Sequence, residues 1–165
     1  MFKNYLILFF LVLTSCSEDL SQKAKDFSKE KIIIDSHIDT PFQIWRQKNN
    51  TGSSDDITKN TSYHFDYPRA IEGGLNLPFF AIFIPARTET EGTSFNLAVE
   101  LIGMMNEIIK DNPEKFTFIN DPSDIKVLEE NKNLVGIAYG IENGAPIEGK
   151  LENIKYFADL GVNYI

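Results

Sequence analysis

Short runs of apolar residues recur along the chain, and within them apolar residues follow one another without polar residues between. Such runs are typical of strands that are buried on both faces of a parallel sheet. On this basis we predict strands at 31–35, 75–85, 116–120, 134–142 and from 162 onward. The first run, KIIID, passes directly into a polar stretch that contains His37 and Asp39.

Amphipathic segments separate these runs. The segments 93–113 and 150–161 place apolar residues three and four positions apart, which predicts a helix in each. Asp121 followed by Pro122 is typical of a helix N-terminus. We therefore predict a third, shorter helix from Pro122 to about Glu130.

Alternating strands and helices with apolar strands predict an α/β fold with a parallel sheet, either a (β/α)8 TIM barrel or an open doubly wound sheet. A barrel of this kind needs about 250 residues, whereas the chain has 165 and stops inside an apparent strand. We expect the chain to be the N-terminal portion of a longer, truncated barrel. The alternative is a small complete α/β domain that ends in an edge strand.

The first sixteen residues have the pattern of an export signal. Lys3 precedes an apolar stretch over 5–13, which is shorter than the roughly 20 residues that cross a bilayer as a helix. The stretch ends in LTSC, which resembles the lipobox of bacterial lipoproteins. Cys16 is the single cysteine, so it has no disulfide partner within the chain. We expect 1–16 to be a lipoprotein signal peptide; a plain signal peptide that contains a cysteine is the alternative.

This interpretation predicts the domain organisation and the location of the protein. Cys16 would be lipidated, 17–30 would be a polar tether, and 31–165 would be the N-terminal part of the barrel domain. The expected location is the bacterial cell envelope, with the lipid anchor on the periplasmic or outer-membrane face. The sequence does not predict the oligomeric state, and a homo-oligomer is compatible with it.

Composition narrows the functional classes. A hydrophobic share of 42% is normal for a globular domain. The formal net charge is −8, a field that repels the phosphates of nucleic acids, so we exclude a nucleic-acid-binding function.

A histidine and two acids follow the first predicted strand. Residues two apart in an extended chain point the same way, so His37 and Asp39 can face one point at the C-terminal end of this strand. Imidazole nitrogen and carboxylate oxygen are both zinc ligands, and Asp35 can orient the pair from one step deeper. On its own, a His-x-Asp pair is equally compatible with a surface turn.

A second predicted strand also delivers a charge. Residues 134–142 are apolar up to Glu142, and a turn containing Gly144 follows. A carboxylate without a partner is costly to bury, so a shared metal ion would explain why two strands end in charged groups. The simpler alternative is that Glu142 caps the next helix in solvent.

Three blocks carry a family resemblance: IDSHIDTP, EGGLNLPFFAIFIP and GIENGAPIEGKLENIKYFADLGVNYI. They resemble successive parts of the membrane (renal-type) dipeptidases, peptidase family M19, which are metal-dependent barrel hydrolases of the amidohydrolase type. The resemblance implies that His37 and Asp39 bind one zinc and that Glu142 bridges two zinc ions. Ala145 departs from relatives that have histidine after the corresponding turn, which bears on substrate preference.

The resemblance implies zinc-dependent hydrolysis of dipeptides by a metallodipeptidase of the membrane dipeptidase type, with two Zn2+ ions in a complete site. The remaining ligand histidines and the catalytic aspartate of the family would follow Ile165, so we expect no catalytic residue within this chain and no activity of the chain alone. The alternatives are another amidohydrolase-type metal hydrolase, or a non-catalytic binding lipoprotein.

Three other features have weaker expectations. His64 is expected to be a loop residue, and Phe42 and Trp45 are expected to pack beside the first strand rather than to form a substrate pocket. The most loop-like region, 49–62, follows the first strand. We expect it at the functional face, because the loops after the strands form that face in a parallel barrel.

Overall fold

The computed structural model describes residues 19–165. Within this range five parallel strands form one sheet: β1 (Ile33–Ile38), β2 (Leu75–Phe83), β3 (Phe116–Phe118), β4 (Val135–Glu142) and β5 (Val162–Tyr164). The same range contains seven α-helices: α1 (Leu20–Glu30), α2 (Thr40–Thr51), α3 (Tyr67–Gly73), α4 (Arg87–Glu91), α5 (Ser94–Lys110), α6 (Lys126–Glu130) and α7 (Leu151–Asp159). Short 3-10 turns precede α6 and α7.

The strands are ordered β1, β2, β4, β3, and β5 also pairs with β4. β2 pairs with the second half of β4, over Ala138–Glu142, and β3 pairs with its first half, over Val135–Ile137. All of these pairs are parallel. The parallel α/β fold predicted from the apolar strands is therefore confirmed.

β4 shows how the two faces of the sheet differ. Alternate residues from Val135 to Ile141 pack into the main core, together with buried residues of α2, α3, α5 and α7. The residues between them, from Gly136 to Glu142, point to the opposite face by strand alternation. There Ala138 joins a smaller apolar cluster with Leu77 and Leu128. Glu142 therefore lies on the face that the core helices do not cover.

The prediction that the first strand is buried on both faces is wrong. β1 is the end strand of the sheet, and residues 34–37 are all exposed; half of the surface of Ile34 is accessible. The apolar run KIIID has the composition of a central strand. Amino-acid composition indicates that a strand tends to be buried, but it does not show what buries it. Within residues 19–165 β1 has a strand partner on one side alone.

Residues 20–30 of the predicted tether form helix α1. Asp19 begins it by accepting hydrogen bonds from the backbone N–H groups of Ser21 and Gln22. α1 has no buried residue, and most of its residues are polar, so the sequence-based search for apolar helix faces did not predict it. Within residues 19–165 no helix is both long enough and apolar enough to span a membrane. The predicted signal peptide and Cys16 lie outside the described residues.

Three other helices, α2, α3 and α4, lie outside the predicted elements, although α2 and α3 have clear end signals. α2 has Pro41 in its first turn and ends at Gly52, where φ is 84°. α3 follows Asp66, has Pro68 in its first turn and ends at Gly74. Proline at the start and glycine at the end are typical helix boundaries. α2 is mostly polar, however, so hydrophobic periodicity does not indicate it.

The loop at 49–62 lies at the end of the sheet opposite to the predicted one. α2 begins directly after β1 and carries the chain back along the sheet, so its last residues and the loop lie beside the C-terminal end of α5. Asp56 and Ile57 line the same depression as Asp111 and Asn112. The loop therefore follows a helix rather than a strand, and the expectation that it forms the functional face is wrong.

Candidate metal centre

A local irregularity in β1 presents His37. Asp35 pairs with Pro78 of β2 and Ile38 pairs with Phe80, so β1 advances three residues while β2 advances two. This extra residue is a β-bulge, a device that redirects side chains beside functional sites. The bulge follows the pair formed by Asp35 and Pro78, and Pro78 has no backbone N–H to donate to the ladder. The bulge contains Ser36 and His37.

Asp35 supports the bulge. Its Oδ1 accepts a hydrogen bond from the backbone N–H of His37 at 3.0 Å. Asp35 therefore fixes the main chain of His37 and leaves the imidazole free to face the site. The sequence-based expectation that Asp35 orients this pair has a specific contact behind it.

Asp39 lies at the N-cap position of α2. Aspartate is a favoured N-cap because its carboxylate accepts backbone hydrogen bonds from the first turn. Here the Asp39 side chain accepts no such bond within the described residues. Instead its Oδ1 lies 3.6 Å from Nε2 of His37. The Asp39 carboxylate is therefore not used to cap α2 and is available as a metal ligand beside His37.

Glu142 is the last residue of β4, and the residue after it holds it in place. The backbone of Asn143 has a φ of 83°, which is uncommon for a residue with a side chain. Its side-chain Nδ2 donates to the carbonyl of Ile84 at 2.9 Å, and its Oδ1 accepts from the backbone N–H of Ala145 at 3.1 Å. These bonds connect the ends of β2 and β4 directly beside Glu142.

The three sequence-predicted metal ligands come together. Oε2 of Glu142 lies 3.0 Å from Nε2 of His37, and one donor atom from each of His37, Asp39 and Glu142 lies within 4.8 Å of the others. We refer to these residues as the metal triad. The strands that position them, β1 and β4, are not neighbours, because β2 lies between them. The side chains meet on the sheet face that the core helices leave open.

The donor set of the metal triad fits a divalent metal ion. Zinc ligands lie about 2.0–2.2 Å from the ion in tetrahedral geometry, so they are roughly 3.3 Å from one another. The separations from His37 Nε2, 3.0 Å and 3.6 Å, match this spacing. All three side chains are between 42% and 49% exposed, so an ion can enter from solvent.

The structure also shows the surroundings of His64, Phe42 and Trp45, none of which belongs to the metal triad. His64 is an exposed loop residue that lines a depression with side chains of α2, including Gln43 and Gln47. Phe42 stacks on Trp45 with ring centroids 5.5 Å apart, and both rings pack against the main core. The expectation that these residues are loop and packing residues is therefore confirmed.

A cleft of about 540 Å3 opens between the segment after β2 and the segment after β4, and its described lining contains none of the metal triad. Its lining includes Glu89, Ser94, Asn143, Ala145 and Glu148. Ala145, the position that departs from the family pattern, is thus part of the wall. The cleft and the metal triad share the same end of the sheet.

The sequence model of membrane dipeptidase, peptidase family M19, matches residues 21–165. The chain belongs to this family. Among curated proteins, the chain is similar to the uncharacterized dipeptidase C965.12 of Schizosaccharomyces pombe, with 23% identity over 154 residues, which is 87% of this chain and 37% of that protein. The chain therefore spans less than half the length of this M19 relative.

Solved structures show the same fold. The probable dipeptidase PvdM from Pseudomonas aeruginosa superposes with a TM-score of 0.70 and 20% identity, over 87% of this chain and 36% of that one. A metallo peptidase from Rhodobacter sphaeroides, liganded with a phosphinate mimic of the dipeptide L-Ala-D-Ala, gives 0.65 and 20%, over 79% and 43%. The sheet and helices described here thus have the fold of part of an M19 TIM-barrel-like domain, as the strand pattern predicts.

Proposed function

We propose that this M19 chain supplies part of the active site of a zinc-dependent metallodipeptidase. The observation that carries the proposal is the convergence of the metal triad at the C-terminal ends of β1 and β4, the end at which parallel barrels place their active sites. Membership of a family of metal-dependent peptidases supports the interpretation of these three residues as metal ligands.

Each residue of the metal triad has a role in this proposal. His37 and Asp39 would hold one zinc ion, and Glu142, which has two carboxylate oxygens, would be available to that ion and to a second one. The zinc, when bound, supplies a Lewis acid that polarises the scissile carbonyl and acidifies water. Asp35 keeps the main chain of His37 in place, and Asn143 fixes the turn after Glu142. Pre-positioned ligands of this kind strengthen metal binding.

Small dipeptides are the proposed substrates. The cleft between the segments after β2 and β4, at the same end of the sheet as the metal triad, measures about 540 Å3 and is lined by short side chains and by the carboxylates of Glu89 and Glu148. The Rhodobacter sphaeroides relative is liganded with a dipeptide mimic, which supports the same substrate class here. Ala145 in the cleft wall leaves more room than a histidine would.

The test compares two proteins, the 165-residue chain and the product of the full reading frame of its gene. With excess zinc and a simple dipeptide, we expect turnover by the longer product, loss of turnover on chelation and recovery when zinc is added back. The 165-residue chain alone is expected to show none, because a two-ion site needs ligands beyond the metal triad. Turnover that survives chelation, or equal turnover by both proteins, would contradict the proposal.

We also propose that the protein is lipid-anchored in the bacterial cell envelope through Cys16. The support is the LTSC motif after a short apolar stretch. We expect Cys16→Ser to abolish incorporation of labelled fatty acid and to move the protein from the membrane fraction to the soluble fraction. The measurement is sedimentation after a carbonate wash, with the wild-type chain in parallel. A serine variant that still sediments would show that the apolar segment is an uncleaved anchor.

A further inference from the structure

Tyr164 of β5 extends across the open face of the sheet to β1. Its ring lies over Gly140 of β4, so close that a Cβ built on Gly140 would lie 2.1 Å from a ring carbon. The ring also packs against Phe79 of β2, with centroids 5.6 Å apart. The hydroxyl then donates a hydrogen bond to the carbonyl of Ser36 at 2.9 Å. One side chain thus connects four strands.

The acceptor of this hydrogen bond lies in the bulge that presents His37. Ser36 is the residue before His37, within the stretch where β1 loses its regular pairing with β2. Two side-chain hydrogen bonds reach the main chain of this stretch: Asp35 accepts from the His37 N–H, and Tyr164 donates to the Ser36 carbonyl. Both bonds act on the single peptide unit that joins Ser36 to His37, one at its C=O and the other at its N–H, so they restrict the direction in which the imidazole points.

Tyr164 also lies close to the other strand of the metal triad. Burial raises the pKa of Tyr164, and the negative charge of Glu142 raises it further. The hydroxyl therefore stays protonated and remains a donor over the ordinary pH range. A tyrosine that touches β1 and β4 just below their functional ends is placed to set the distance between His37 and Glu142.

We propose that Tyr164 is a positioning residue of the metal centre, which acts by holding the Ser36–His37 bulge so that His37 faces Glu142. This inference rests on the proposed metal-binding function. In this role Tyr164 acts through the main chain of His37 and is not itself a metal ligand. The glycine at position 140 is required for the same purpose, because a side chain there would displace the tyrosine ring.

The test uses the purified full chain, with Tyr164→Phe as the variant and Tyr156→Phe as the control. Phenylalanine keeps the ring and removes the hydroxyl. Tyr156 on α7 is equally exposed, at 42%, and its ring packs on Phe95 and Phe157 away from β1. Zinc affinity is measured by competition with a chromophoric chelator, and the visible spectrum of bound Co2+ reports the ligand geometry. Thermal unfolding of the metal-free proteins shows whether each variant folds.

We expect Tyr164→Phe to bind zinc about tenfold more weakly than the wild-type chain, as is typical when a group that orients a metal ligand is removed. We also expect an altered Co2+ spectrum, whereas Tyr156→Phe should change neither. If the wild-type chain binds no zinc, the proposed function fails and the inference fails with it. If the wild type binds zinc and Tyr164→Phe matches it in affinity or in Co2+ spectrum, the positioning role is wrong and the metal site stands.

Discussion

Replacing His37 by alanine should lower the zinc affinity of the chain by at least about 100-fold, whereas replacing His64 should leave it unchanged. His37 is the single nitrogen ligand of the metal triad and lies between the two carboxylates, 3.6 Å from Asp39 and 3.0 Å from Glu142. Without it, two carboxylates face each other with no group between them, and their mutual repulsion separates them. Competition with a chromophoric chelator measures the change directly.

The two histidines of the chain form a matched pair for this experiment. His64→Ala removes the same side chain from an exposed loop position, so it controls for nonspecific binding of zinc to surface imidazole. If the proposed function holds, His37→Ala in the active dipeptidase should also abolish dipeptide hydrolysis, while His64→Ala should retain it. Equal zinc affinities of the two variants would show that the metal triad does not bind the ion.

The expectation of the metal triad came mainly from the family resemblance of the sequence blocks that contain it. The local signals alone, the spacing of His37 and Asp39 and the apolar run that ends at Glu142, left a surface turn and a helix cap as alternatives. The means by which they meet is not local. The bulge in β1 is defined by the register of its pairing with β2, and the separation of β1 from β4 depends on the strand order. Neither can be read from the ligand motifs themselves.

The errors in the predicted fold have a common physical origin. Hydrophobic periodicity indicates how a segment would be covered, so it predicted β2 and β4, which are covered, and misjudged β1, which is exposed. It also gave no indication of α1, which buries no residue, or of α2, which is mostly polar although Ile44 packs into the main core. The clearest sequence signals of α2 are at its ends. Asp39 and Gly52 bound α2 in the sequence, and that pair would have placed the 49–62 loop correctly at the far end of a helix.

The far end of the sheet has its own polar anchor, Asp66, and its replacement should have the largest effect on stability among the polar residues. Asp66 is fully buried. Its carboxylate accepts hydrogen bonds from the backbone N–H of Thr61 at 3.0 Å, from the backbone N–H of Arg69 at 3.0 Å and from Nε of Arg69 at 2.7 Å. It therefore starts α3 and holds the preceding loop. Asparagine in its place presents an amide N–H group to donors and loses the charge.

We expect Asp66→Asn to lower the free energy of unfolding by about 2–3 kcal/mol at neutral pH, because a buried charged acceptor is replaced by one that leaves donors unpaired. Urea titrations of the wild-type and variant chains measure it. Asp56→Asn is the control. Hydrogen bonding to Lys59 lowers the pKa of Asp56 to about 2, but the Asp56 side chain is 48% exposed. The free energy of unfolding should therefore fall by at most about 1 kcal/mol in this control.

The pH dependence tests the cause of the Asp66 effect. Burial alone would raise the pKa of Asp66, but hydrogen bonds from Arg69 and Thr61 outweigh it and lower the pKa from 3.8 to about 2. A lowered pKa in the folded state means that the ionised carboxylate stabilises the fold above about pH 4, and that this stabilisation is lost as the pH falls toward 2. The gap between wild type and Asp66→Asn should therefore narrow across this range. A gap that stays constant from neutral pH to pH 2 would show that the carboxylate contributes through its shape and not through its charge.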